Sequence, residues 1–194
     1  MKTKQHGFTM IELIVVIVIL GILAAVALPR FSNIQRDARI AKLNAARGAV
    51  QSASAMIHGT VLVRGGVADA APCPGTVVTA DNTATVCTEH GIVNVINGYP
   101  TANLPGIIDA AGLTSAFPAT QPALAAEGYY ISADGTAAGA VTGGAAIDSD
   151  PIMIGVMGGT VVAGAAQCSF TYSPSNGGAA NSAAVISAVR TDGC

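Results

Sequence analysis

Charge is what this chain has least of: Asp, Glu, Lys and Arg together make up 10% of its 194 residues, against 51% hydrophobic. That is too little for an ordinary free soluble protein, and it points to apolar surface that meets lipid or other copies of the chain. The basic residues are also missing from most of the length. Eight of the nine Lys and Arg residues precede Gly65, nine of the eleven acids follow it, and Arg190 is the sole base beyond it. A segment so poor in Lys and Arg has no footprint for nucleic acid, which needs clustered bases to displace phosphate counterions. Aromatics are scarce as well, at 4%, with only Phe8 and Phe31 in the first 60 residues, so a stacked aromatic path for electrons has no support.

The chemistry-bearing residues are equally sparse. His58 falls at an expected helix end and His90 in an expected turn, and neither has a nucleophile or acid in a recognisable arrangement, so no catalytic residue is assigned. Asp148-Ser149-Asp150 offers hard oxygens but lacks the glycine and distal Glu of a calcium loop, and it reads as a solvated acidic turn. No metal is expected. The 23 glycines include no phosphate-cradling loop after a strand, so no cofactor is expected either. Four cysteines, Cys73, Cys87, Cys168 and Cys194, form no CxxC pair and have no His at ligand spacing. They read as two disulfides in an oxidising compartment. Three pairings are compatible with the sequence, and Cys73–Cys87 with Cys168–Cys194 is favoured because each closes a modest loop without threading the chain.

What the sequence has in abundance is an apolar run. From Phe8 to Leu28, 21 residues contain only Thr9 and Glu12 as plainly polar side chains. About 20 helical residues cross the hydrocarbon layer, so this segment can span. A secretory signal would have a shorter apolar core, although Ala25-Val26-Ala27 imitates its cleavage site. Lys2 and Lys4 in the polar segment Met1–Gly7 hold that end in the cytoplasm by the positive-inside bias and send the rest across. Glu12 is the anomaly. A carboxylate in an apolar span needs a partner, and cleavage between Gly7 and Phe8 would create one in the α-ammonium of Phe8.

Gly7-Phe8-Thr9-Met10-Ile11-Glu12, followed by Leu13 and an unbroken apolar helix, resembles the prepilin cleavage and N-methylation signature of type IV pilins and type II secretion pseudopilins. The resemblance implies a prepilin peptidase that cuts after Gly7 and methylates Phe8. It also implies a Glu12 that pairs with Phe8 of a neighbouring subunit, an inner-membrane assembly platform, and identical subunits in a helical filament that ends outside the cell. Before assembly the partner would be membrane lipid. The implied function is adhesion, attachment or surface motility. A pseudopilin of a type II secretion system is the alternative, and a single-pass membrane-anchored binding module or enzyme is a remoter one. Asn97-Gly98-Tyr99-Pro100, the CSFTY run at Cys168 and Cys194 also resemble the mannose-sensitive haemagglutinin subgroup of pilins.

The expected fold is α+β, a type IV pilin fold in which the C-terminal half of a long N-terminal helix packs on an antiparallel β-sheet head. Residues 1–7 are the leader, 8–28 the membrane and filament-core half of the helix, 29–59 its amphipathic half, and 60–194 the head with its disulfide-bounded C-terminal region. Gly21 and Pro29 mark an expected helix break, with Ser32-Asn33-Ile34-Gln35 as a capping box for the restart. Leu43, Ala46, Val50, Ala53 and Ile57 recur at intervals of three and four and form the face that docks. Gly59 is the expected stop. Candidate strands are Thr60–Val63, Thr76–Thr79, Gly91–Ile96, Tyr129–Ser132, Pro151–Met157, Gln167–Tyr172 and Ala184–Arg190.

Overall fold

The computed structural model describes residues 8–133, 151–158, 161–162, 165–166, 168–174 and 182–194, with backbone only at 28–32, 133, 161–162 and 165–166. The chain divides into two units, Met1–Ala38 and Arg39–Cys194. One helix, α1 (Met10–Arg64), supplies the described structure of the first and begins the second. It is helical through Gly21, Pro29 and Ser32–Gln35. The helix therefore continues across the positions of the expected break, and Ser32–Gln35 lie within it and not at a restart. Pro29 leaves the Ala25 carbonyl without its helical donor, but strong helix formers on both sides carry a defect of about 3 kcal/mol. The helix also passes Gly59 and ends at Gly65 and Gly66, both with positive φ (58° and 74°), so the boundary expected at residue 59 moves five residues on.

In the second unit the buried face of α1 is Leu43, Ala46, Val50, Ala53 and Ile57, each 6% exposed or less. The stripe ends on a small cluster in which Ile57 meets Val86, Val93 and Val95, with Val61 packed alongside. That contact keeps Thr60–Val63, a β-prone run, in the helix: burial of Val61 outweighs its local preference.

The head contains two main sheets, both antiparallel. Strands β1 (Thr85–Cys87), β2 (Ile92–Ile96) and β3 (Tyr99–Pro100) form the first in that order. Asn97 and Gly98, at φ 52° and 81°, make the tight turn between β2 and β3, and such a turn needs residues that tolerate the left-handed region. A π turn (Leu104–Ile108), α2 (Asp109–Ala111) and α3 (Gln121–Ala126) follow, the last capped by the Thr120 hydroxyl. The second sheet comprises β4 (Tyr129–Ala133), β5 (Ile152–Val156), β8 (Ser169–Ser173) and β9 (Val185–Ile186), while β6 (Val161–Val162) pairs with β7 (Ala165–Ala166) separately. Cys168, Phe170 and Tyr172 point into the core beside Ile152, Ile154, Leu43 and Val50. The Tyr172 hydroxyl donates to the Pro100 carbonyl at 2.7 Å, tying the two sheets together, and burial pushes its ionisation above the ordinary tyrosine value.

The disulfides are Cys73–Cys87 and Cys168–Cys194. The first closes a segment that is not strand at Thr76–Thr79. A buried polar knot anchors that segment to the end of α1. Asn82, fully buried at φ 56°, donates to the Val67 carbonyl (2.7 Å) and to Asp69 Oδ1 (3.0 Å), and accepts from Arg64 Nη1 (3.0 Å). Arg64 in turn pairs with Asp69 Oδ2 at 3.0 Å. Replacing Asn82 with Ala removes the three hydrogen bonds of a buried side chain and places a poor residue in the left-handed region. The expected loss is roughly 3 kcal/mol in a denaturant titration, and Asn82→Gly should recover part of the backbone share.

Asp109 is the one described carboxyl with a buried oxygen that has no partner. Its Oδ1 accepts from the Ala119 amide at 2.7 Å, whereas Oδ2 is buried without a hydrogen bond. Burial pushes this half-buried acid up to about 6, against the single amide bond that opposes the shift. The folded form therefore holds its proton more tightly than the unfolded chain, and the associated stability is complete below about pH 4 and lost as pH rises through about 6. A shift of that size corresponds to about 3 kcal/mol at full strength, which solvent screening at a half-exposed site cuts to about 1 kcal/mol. Asp109→Asn should gain about that much at pH 7 and flatten the difference between melts at pH 4 and pH 7.

Candidate functional site

The start of α1 concentrates everything unusual in the first unit. From Met10 to Ala27 the helix has a mean hydropathy of 3.0 and buries none of that surface, which makes it long and apolar enough to cross a membrane by length and composition. Ile11, Leu13, Ile17, Leu20 and Leu23 are each more than half exposed. Each such side chain gains about 1.5–3 kcal/mol when removed from water, so a covered helix is favoured by tens of kcal/mol over a bare one. Phe8, at 86% exposure, stands just before it. Gly7 lies outside the described residues.

Glu12 is not loose in this segment. The Thr9 amide donates to its Oε2 at 3.0 Å, the Thr9 hydroxyl donates to the same oxygen at 2.9 Å, and the Glu12 amide donates back to the Thr9 hydroxyl at 3.3 Å. This is a reciprocal capping box that satisfies amides with no helical acceptor. Sequence reasoning located Glu12 but not this contact. The signal was legible, because Thr-x-x-Glu before an apolar run is the capping-box pattern, and Thr9-Met10-Ile11-Glu12 carries it. Both bonds converge on Oε2, so the box fixes the carboxylate, and Oε1 has no hydrogen bond among the described residues.

Among the described residues, the remaining candidates are not brought together in one site. The His58 ring stacks on Tyr99, with centroids 4.1 Å apart, and places Nδ1 3.0 Å from the Gly98 carbonyl. His90 is exposed beside Glu89 at 3.8 Å. Asp69 lies close to Cys73 and Cys87, but both sulfurs are committed to their disulfide and Asp69 to Arg64. Asp148-Ser149-Asp150 lies outside the described residues.

Residues 2–28 match the family described as the prokaryotic N-terminal methylation motif. Among curated proteins, the type IV narrow pilus major component of Thermus thermophilus is 49% identical over 53 residues, which is 27% of this chain and 46% of that protein. A type IV major fimbrial protein of Dichelobacter nodosus is 40% identical over 53 residues, 27% of this chain and 34% of that one. A type IV major pilin protein of Neisseria gonorrhoeae is 52% identical over 42 residues, 22% of this chain and 26% of that one. The matches thus span less than half the length of these relatives. No solved structure matches the chain.

Proposed function

We propose, from the premise that the chain belongs to the type IV pilin-like family, that it is a structural subunit of a pilus-like filament and not an enzyme. The observation that carries this reading is the pairing of a wholly exposed apolar helix with one fixed carboxylate four residues after Phe8. Cleavage after Gly7 would leave the Phe8 α-ammonium, which N-methylation keeps cationic, as the counter-charge for Glu12 of an adjacent copy. The helix would be held by lipid as a single pass, with the head outside the cytoplasm, and would then exchange lipid for neighbouring helices. Repeated heterologous contacts that do not close produce a helical filament. Extension of α1 between Gly21 and Pro29 belongs to the packed state, since the isolated helix is unbroken there.

Prepilin peptidase and an inner-membrane assembly platform are the partners this route requires. Adhesion, attachment or surface motility is the role that fits such a filament. The names of the relatives are those of pili and fimbriae, which supports a pilus over a type II secretion pseudopilus. Asn97-Gly98 serves its own hairpin, so the mannose-sensitive haemagglutinin-type subgroup rests on the CSFTY run and Cys194 alone. Shearing cells that express the chain should release filaments containing it, visible by electron microscopy and lost when the chain is deleted. Recovery only as a dispersed membrane protein would contradict the proposal.

A further inference from the structure

One side chain sets where α1 starts, just past the proposed cut. Phe8 and Thr9 lie outside the helix, which begins at Met10. The Leu13 amide donates to the Thr9 carbonyl at 3.3 Å, opening the helical ladder, and the Glu12 amide donates to the Thr9 hydroxyl, also at 3.3 Å. Thr9 is therefore the N-cap, and the bond from its own amide to Glu12 Oε2 satisfies a second free amide. The residues around it would not stop a helix by themselves. Phe8 is no helix breaker, and neither Gly nor Pro stands between residues 8 and 13. An uncapped start at the edge of an apolar span leaves amides that lipid cannot hydrate, and running the helix backward satisfies them with carbonyls four residues earlier.

That extension would reach the bond to be cut. Removal of the leader adds water to the Gly7 carbonyl carbon, breaks its bond to the Phe8 nitrogen, and leaves a Gly7 carboxylate and a Phe8 ammonium. In a helix running back through Phe8, the Gly7 carbonyl would accept from the Ile11 amide. A bond held in such a ladder must open before a peptidase can seat it, and cleavage then follows the population of the open form. We infer that Thr9 is a positioning residue for leader removal: by starting α1 at Met10, its side-chain cap keeps the Gly7–Phe8 bond out of the helix and open to attack. This role rests on the proposed cut after Gly7. The Glu12 carboxylate is less important to it, because the Thr9 hydroxyl caps the amide of residue 12 and not its side chain.

The test follows the full chain after pulse labelling in cells that contain a prepilin peptidase, with uncut and cut forms in the membrane fraction separated by mass. Thr9→Ala removes the cap and inserts the strongest helix former. Leader removal should slow about fivefold, the shift that a typical threonine cap makes in a helix-start equilibrium. Thr9→Ser and Thr9→Asn keep a capping oxygen in two different shapes and should be cut at close to the parent rate, as should Glu12→Leu. In detergent micelles, the Cα resonance of Phe8 in the uncut chain should be non-helical in the parent, Thr9→Ser and Thr9→Asn, and should move toward the helical value in Thr9→Ala. Thr9→Ala cut as fast as the parent, or a Phe8 that stays non-helical in it, would overturn the role of Thr9. So would Thr9→Asn cut as slowly as Thr9→Ala, which would mean that the peptidase reads the hydroxyl itself. A parent chain never cut after Gly7 would instead overturn the proposed function.

Discussion

Replacing Glu12 with Leu should cut the yield of sheared filaments at least about tenfold while the processed chain accumulates in the membrane. Tenfold corresponds to about 1.4 kcal/mol per added subunit, a modest share of what a carboxylate and an ammonium exchange in an apolar surrounding. The substitution removes two things at once, the cap on Thr9 and the charge for Phe8. Glu12→Gln separates them. A carboxamide oxygen can still accept from the Thr9 amide and hydroxyl, so the helix start should survive, but no counter-ion is left for the new amine. If the charge pair drives assembly, Gln fails nearly as badly as Leu. If the cap alone matters, Gln assembles and Thr9→Val fails. Quantifying chain in sheared and membrane fractions by immunoblot distinguishes the two.

The largest effect expected within the head is the loss of Cys168–Cys194. Replacing both cysteines with Ala should cost about 3.5 kcal/mol, because a cross-link over 26 residues removes that much chain entropy from the unfolded state. The end of the chain is otherwise held by short contacts. Strand β9 pairs over two residues, Ser169 and Arg190 form an isolated bridge, and Arg39 grips the Cys194 carbonyl at 2.8 Å. Removing Cys73–Cys87 should cost less. That loop separates its cysteines by 14 residues and keeps the Arg64–Asp69–Asn82 knot and the Asp69 amide bond to the Ala80 carbonyl. Denaturant titrations of the two double variants in the same detergent should therefore rank Cys168–Cys194 above Cys73–Cys87, and the reverse order would mean that the knot contributes little.

The parts of this structure legible in the sequence are those in which one strong pattern acts alone. The stripe from Leu43 to Ile57 follows from helical spacing, and β2, β4, β5 and β8 follow from β-branched or aromatic runs between turns. Misreadings arose where two signals competed. Gly59 looked like a stop, but a glycine inside a long helix costs only about 1 kcal/mol, and Val61 gained a packed cluster by continuing. The strand at Thr85–Cys87 was missed because its three residues are shorter than any run that alternation can reveal. The Asn97-Gly98 turn and the Thr120 cap with Pro122 both have local sequence signals. At the N-terminus, sequence exposed the charge anomaly, whereas the contact that orients Glu12 required the pairing of Thr9 with it.

On the proposed reading the apolar helix begins at a newly made amine on Phe8, which the mass of the N-terminal peptide from sheared filaments checks. The expected chain begins at N-methylated Phe8 in filaments, with the uncut form confined to membranes. A chain beginning after Ala27, or one still carrying residues 1–7 in every fraction, would contradict it.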